Sequence, residues 1–240
     1  MKPTSFFRGL SRGLVRGLVR GLKRGLTPIL AFSALLLIIV NGPAMWSAEL
    51  VVRNVLVDIE FLPSDFDYSI QDSNGTRSGS DSFASGYGIA AGVRYSFART
   101  GDAHGFLLGG EFVGAQARYG NTGQLTDYGL RLDGGYGYAL DDRWSVNFLL
   151  RAGYGRATLD LDANTSFSAV SVSGGALTYG AALGIDAVIA EQWQISTSIG
   201  YLKSSYSLSG NDVDVTIDRA GLSASIGVLY RLSNLPRPLE

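Results

Sequence analysis

The stretch "YGLRLDGGYGYAL", Tyr128 to Leu140, separates by parity. Tyr128, Leu130, Leu132, Tyr136, Tyr138 and Leu140 fall in one set, and Gly129, Arg131, Asp133, Gly135, Gly137 and Ala139 in the other. Successive side chains of a strand point to opposite faces, so this is one strand with a bulky apolar face and a small or charged face. A wetted strand face usually favours threonine, lysine and glutamate over glycine, which raises the question of which face is inside.

The same alternation recurs from Glu49 to about Ser233. In "GYGIAAGVRYSF" Tyr87, Ile89, Val93, Tyr95 and Phe97 oppose Gly86, Gly88, Gly92 and Arg94. In "WSVNFLLRAGYG" Trp144, Val146, Phe148, Leu150 and Tyr154 oppose Asn147, Arg151, Gly153 and Gly155. Further on, Trp193, Ile195, Ile199 and Tyr201 oppose Gln194, Ser196, Ser198 and Gly200, and Leu222, Ile226, Val228, Tyr230 and Leu232 oppose Arg219, Ser225, Gly227 and Arg231. Segments Phe106 to Arg118 and Leu177 to Ala190 keep Glu111 and Asp186 on the small face. A first strand carries Asp58 and Glu60 there, with a break at Pro63. Eight strands are expected.

Aromatic residues settle the orientation. Tyr87 and Tyr95, Tyr128 and Tyr138, Trp144 and Tyr154, and Trp193 and Tyr201 bracket their strands on the apolar face, and Tyr230 joins them on the last. Ten residues at about 3.3 Å each, tilted by about 40°, rise roughly 25 Å, the height of the apolar band of an outer-membrane barrel with its two aromatic girdles. A soluble ligand-binding barrel would put the bulky apolar face inside. The fold expected is therefore all-β, an eight-stranded antiparallel up-and-down transmembrane β-barrel with the glycines and charges inside a narrow lumen. That register places Asp58, Glu60, Glu111, Asp133 and Asp186 in the lumen with Arg94, Arg131, Arg151, Arg219 and Arg231, five of each sign. Such charges are expected to pair, because an unpaired buried charge is costly. The connections alternate between long ("DSNGTRSGSDS", "YGNTGQLT", "DANTSFSAVSVSGG", "SGNDVDVTI") and short ("RTGDAHG", "LDDR", "AEQ"), as external loops and periplasmic turns do.

Residues 1–48 differ from the rest. "FFRGLSRGLVRGLVRGLKRGL" repeats Arg-Gly-Leu, and the apolar run "PILAFSALLLIIV" and the small-residue stretch "NGPAMWSAE" follow it. The order of basic, apolar and small-residue regions is that of a secretory signal peptide, with cleavage after Ala44 or Ala48. The expected organisation is a cleaved signal peptide over 1–48, the barrel over 49–233 and a short tail over 234–240, with the bacterial outer membrane as destination. Residues 1–48 hold seven of the 20 basic residues and none of the 21 acidic ones, leaving 13 basic against 21 acidic. That balance excludes nucleic acid as a partner, since phosphate contacts need clustered Lys and Arg.

No cofactor or metal is expected, and no catalytic residue. "GYGIAAG" from Gly86 resembles a dinucleotide fingerprint but runs on as a strand, without the helix that presents amides to phosphate. "DLDAN" from Asp160 opens like a calcium loop, yet Thr165 stands where glycine is required. The 32 glycines and 12 tyrosines come with no cysteine, which excludes thiolate metal sites. His104, the only histidine, falls in a short turn, so a serine at the external rim lacks a base.

From about Leu50 to Leu232 the chain resembles the small OmpA/OmpX-type outer-membrane β-barrels of Gram-negative bacteria. "SIGVLYRL", Ser225 to Leu232, is similar to the C-terminal assembly signal of that class through Gly227, Tyr230 and Leu232. The resemblance implies outer-membrane lipid, lipopolysaccharide and the barrel assembly machinery as partners, and a surface ligand reached through the external loops. The function expected is a non-enzymatic barrel whose loops serve envelope stability or adhesion. The alternative is a narrow ion or small-solute channel gated by the lumen salt bridges.

Overall fold

A computed structural model describes residues 49–73, 75–98, 103–119, 123–162, 169–210 and 212–232, with side chains from Asn54 onward. The signal peptide and the tail expected from the sequence lie outside these residues. The described residues form ten strands: β1 (Glu49–Phe61), β2 (Asp65–Asp72), β3 (Gly75–Ser82), β4 (Ser85–Ala98), β5 (His104–Tyr119), β6 (Gly123–Ala139), β7 (Trp144–Leu161), β8 (Val170–Ala190), β9 (Trp193–Gly210) and β10 (Val213–Arg231).

Eight of them close a ring. The order runs β1-β4-β5-β6-β7-β8-β9-β10, and β10 pairs back onto β1, with Asp58 opposite Gly227 and Glu60 opposite Ser225. Every pairing is antiparallel. The count of ten corrects the eight expected, and the cause is local. Pro63 has no N–H to give a ladder, so the chain leaves the sheet at the break and rejoins it as β2. β2 then pairs with the outer part of β10, Phe66 opposite Arg219 and Gln71 opposite Asp214, and turns back as β3. β1 and β2 thus follow β10 in succession, and Gly221 (φ +158°) faces the Pro63 ring where they part.

The long loops expected at one end are largely strand, which is a second correction. Gly75–Ser82 forms β3, β6 begins at Gly123, β8 at Val170 and β10 at Val213. Asn211 aside, only Asp212 separates β9 from β10, and its φ of 60° suits the short polar side chain of aspartate at a tight turn. The strands continue because backbone groups leaving one ladder must find partners, and the neighbouring strand supplies them more compactly than a loop.

The apolar face points outward over the central band. Val57, Ile59, Tyr87, Ile89, Phe112, Leu130, Leu132, Phe148, Leu183, Ile199 and Ile226 are all exposed. Nearer β2 and β3 the faces exchange roles. Leu125, Leu159, Val172, Leu208, Val215 and Ile217 are buried inside, with polar residues such as Thr216 and Ser207 outside. The molecule is a membrane-type barrel over one part of its height and a water-type barrel, apolar within, over the other.

Candidate functional site

The lumen holds three layers. In the middle, Arg131 on β6 is the hub. Its Nη1 donates to Glu60 Oε2 at 2.8 Å and its Nη2 lies 2.7 Å from Glu60 Oε1, while Nε donates to Glu111 Oε2 at 3.0 Å and Nη2 also meets that oxygen. Planar guanidinium geometry makes the double engagement of Glu60 possible. Arg151 on β7 reaches the same carboxylate at 3.4 Å and donates to Ser198 Oγ at 3.3 Å, which in turn bonds Ser225 Oγ at 2.7 Å. Asp133 lies 3.7 Å from Arg131 and 3.9 Å from Arg151. These contacts bridge β1 to β5, β6 and β7 across the lumen. Glu111, Arg131 and Asp133 are each no more than 3% exposed. Asp58 is equally buried, with neither carboxylate oxygen hydrogen-bonded among the described residues, and stands against Gly227, where a β-carbon would fall on Asp58 Oδ1.

Toward the end where the ring's termini meet, Arg94 lies 3.6 Å from Asp186, and Asn147 donates to the same Oδ2 at 3.2 Å. These residues, with Asn54 and Arg231, line a cavity of about 170 Å³. His104 opens β5 at this end, its ring stacked on Tyr136 and its Nδ1 2.6 Å from the Tyr136 hydroxyl. The lone histidine is thus engaged rather than simply solvated.

The third layer is apolar and was not anticipated from the sequence. Phe66 of β2 stacks on Phe83 at 4.3 Å and packs edge-on against Tyr119 at 5.9 Å. Beneath them lie Leu125, Leu159, Val172, Tyr206, Leu208, Val215 and Ile217, one cluster closing the ring's interior. Tyr206 donates its hydroxyl to Asp127 at 2.8 Å, and a cavity of about 50 Å³ separates this layer from Arg131 and Glu60.

Of the ten charges expected to pair in the lumen, the structure joins Glu60, Glu111, Arg131, Asp133 and Arg151, pairs Arg94 with Asp186, and leaves Asp58 beside them. One is corrected. Arg219 donates its Nε to the Pro63 carbonyl and lies over the Phe83 ring at 5.0 Å, in the apolar layer rather than the ionic one. Arg231 lines the lumen cavity at the other end together with Arg94 and Asp186. The middle layer therefore holds more carboxylates than guanidiniums. Arg219 left it because Pro63 breaks β1 and presents a carbonyl beside β10, and Phe83 follows from the β3 turn.

The girdle positions all face outward. Tyr87, Tyr128, Tyr138, Trp144, Tyr154, Trp193 and Tyr201 are exposed, and Tyr95 and Tyr230 are half-buried, Tyr230 packed edge-on against Trp193 at 4.8 Å. Tyr230 also donates to Gln192 at 2.8 Å in the adjoining turn. Leu232 is exposed beyond them.

Three solved structures are similar to the chain at low identity. Neisserial surface protein A (NspA) is 13% identical, the match covering 75% of this chain and 97% of that one, with a TM-score of 0.42. Ail, the attachment invasion locus protein of Yersinia pestis, is 17% identical over 75% of this chain and 98% of its own, with a TM-score of 0.37. The outer membrane protease OmpT of Escherichia coli is 7% identical over 78% and 98%, with a TM-score of 0.45. No curated protein matches the chain. The family model described as "Outer membrane protein beta-barrel domain" matches residues 33–231. The chain belongs to that family of β-barrels of the bacterial outer membrane.

Proposed function

We propose that the protein is a non-enzymatic, sealed barrel that holds its outer strand ends and the β2–β3 hairpin rigidly above the membrane, for envelope stability or adhesion-type contact. The observation that carries this is the apolar layer of Phe66, Phe83, Leu125, Val172, Leu208 and Ile217, which fills the ring's interior beyond the ion pairs. A solute path needs polar groups along its length, and this layer offers an ion nothing to replace its hydration. Against catalysis stands His104, whose partner is a tyrosine at the far end rather than a serine or an acid.

The second reading is a narrow channel gated by the lumen salt bridges, favoured by the cavity of about 170 Å³ that reaches the Arg94–Asp186 pair. Single-channel recording in planar bilayers separates the two. The chain expressed in full and purified from outer membranes is expected to be silent. Discrete openings altered by Arg131→Ala with Arg151→Ala would overturn the sealed-barrel proposal. Lipid and lipopolysaccharide along the wall, and the assembly machinery at Ser225–Leu232, are the partners proposed with it. The surface ligand would meet strand ends and the hairpin rather than long loops.

A further inference from the structure

The cavity of about 170 Å³ at the end where β1 begins and β10 ends has two unlike walls. In the ring, β4 stands opposite β8 and β1 opposite β7. Arg94 on β4 and Asn54 on β1 therefore face Asp186 on β8 and Asn147 on β7 across the lumen, with Arg231 beside Asn54 on β10. The wall of β4, β1 and β10 is cationic, and that of β7 and β8 anionic. The exposed turn residues Asp141, Asp142 and Arg143 stand at the rim. The volume is that of about six waters at about 30 Å³ each, room for a molecule of about six heavy atoms.

The inner groups of this cavity are buried and unsatisfied. Arg94, Asn54 and Asn147 are 4%, 7% and 5% exposed. Arg94 Nη1 lies 3.6 Å from Asp186 Oδ2, within ion-pair range but without a hydrogen bond. Among the described residues, Nε and Nη1 of Arg94 and the Oδ1 atoms of Asn54, Asn147 and Asp186 all lack a hydrogen-bond partner. The open positions are thus two donor atoms on one guanidinium and three acceptors on three side chains. Buried polar groups destabilise a fold unless something satisfies them, so the set describes its occupant. Adjacent donors of a guanidinium suit a carboxylate, and three acceptors match the three N–H bonds of an ammonium. A molecule with one charge alone leaves the opposite wall without a counterpart.

We infer that this cavity binds a small zwitterion of the α-amino-acid class from the side of the short turns, its carboxylate on Arg94 and its ammonium at Asp186 and Asn147. Ammonium and carboxylate stand one carbon apart in such a molecule, which fits walls whose charges approach to 3.6 Å. The volume admits a small side chain and excludes a bulky one. The inference rests on the sealed-barrel proposal, because a closed lumen makes the cavity a dead end that holds its ligand rather than a path that passes it.

The test uses the full chain purified from outer membranes into detergent micelles. It is titrated calorimetrically with glycine, and with acetate and methylamine, which each carry one of glycine's two charges. Glycine is expected to bind with a Kd of about 1 mM or below, which so small a molecule can reach. Acetate and methylamine should each bind at least about tenfold more weakly, the usual contribution of a hydrogen-bonded charge. Arg94→Gln and Asp186→Asn should each weaken glycine by the same factor. Ser96→Phe, which fills the cavity from the wall and leaves both ions in place, should abolish binding. No binding by the parent would mean a cavity filled by water alone and would overturn the inference. Acetate or methylamine binding as tightly as glycine, or unchanged binding by Ser96→Phe, would overturn it too. Heat-modifiable gel mobility reports the fold of each variant, and the three probes on the parent decide the matter where a variant does not fold. Vesicles carrying the barrel and loaded with labelled glycine test the seal separately. Retention is expected, and leakage would overturn the sealed-barrel proposal while the binding result stands.

Discussion

Replacing Arg131 with alanine removes the hub of the middle layer and leaves Glu60, Glu111 and Asp133, all within 4.0 Å of the lost guanidinium, without it. Arg151 still reaches Glu60 at 3.4 Å, so one carboxylate keeps a partner. Among the described residues Glu111 keeps no ion pair, and Asp133 keeps only the 3.9 Å approach of Arg151. Breaking a buried pair from one side costs about 3 to 5 kcal/mol, which with a urea dependence of about 2 kcal/mol/M lowers the midpoint by roughly 2 M. The assay is urea unfolding of the barrel in lipid vesicles, approached from both directions and followed by tryptophan emission, since Trp144 and Trp193 lie in the girdle. Because the cost comes from stranded charge, Arg131→Met with Glu60→Gln and Glu111→Gln should recover most of it. The loss should change little with salt, since ions do not reach a layer about 97% shielded from solvent. A midpoint within about 0.3 M of the parent, or no recovery in the neutral triple variant, would refute the account of the lumen as a paired electrostatic staple.

Other outcomes follow from single contacts. Phe66→Ala removes the plug that stacks on Phe83 and should cost about 3 to 5 kcal/mol in the same assay, yet leave bilayers silent because the ionic layer remains; conductance from this variant alone would show that the apolar layer was the sole barrier. Gly227→Val puts a side chain where Asp58 and the Val57 carbonyl already lie, so the β1–β10 seam should fail to close, seen as loss of the heat-modifiable band. Asp81, on the exposed hairpin, is held below its ordinary value of 3.8 by the Tyr119 hydroxyl, 2.6 Å away, and by the Ser82 amide. A depressed carboxyl pKa stabilises the contact above the unfolded value and loses that contribution as pH falls through the folded one. Tyr119→Phe should therefore raise the Asp81 carboxyl toward 3.8 in a carbon NMR titration, and an unmoved titration would dismiss the contact.

The central band was legible because lipid enforces parity. A tyrosine or leucine set against glycine and arginine at every second position has one arrangement that keeps charge out of hydrocarbon, and Asp58, Glu60, Arg94, Glu111, Arg131, Asp133 and Arg151 are all buried inside as that arrangement requires. Partners were not legible, since parity fixes a face and not the rotation that brings Arg131 to Glu60, 71 residues away. The hairpin was missed for a different reason. "GTRSGSDS" has no apolar alternation and becomes a strand because β2 offers it a ladder, a tertiary effect that propensity does not carry. The apolar layer did leave a trace. "VDVTI", Val213 to Ile217, alternates cleanly, but its valines and isoleucine share parity with Arg219 rather than with Leu222, opposite to the membrane pattern. A change of apolar parity along one strand marks the height at which the exterior passes from lipid to water.

That exchange of faces also explains why the interior is built in layers. Where the exterior is hydrocarbon, an apolar interior as well would make each strand a continuous hydrophobic run, and the strand's alternation would vanish. The lumen there must be polar, and in a ring too narrow for bulk water polar means paired charge, as at Arg131 and Glu60. Beyond the girdle the exterior is wet, and the only place left for the hydrophobic effect to act is inside, so Leu125, Tyr206, Leu208 and Val215 collapse inward with Phe66 and Phe83 above them. The two layers depend on each other through β1 and β2, one continuous course along β10 interrupted at Pro63. Arg219 holds the Pro63 carbonyl and the Phe83 ring at that interruption, fastening the hairpin to the barrel at the level where the two chemistries meet. On the sealed-barrel proposal, a barrel closed in this way would pass no solute through its axis. What it would offer the surroundings is its outer end and the β2–β3 hairpin fastened there.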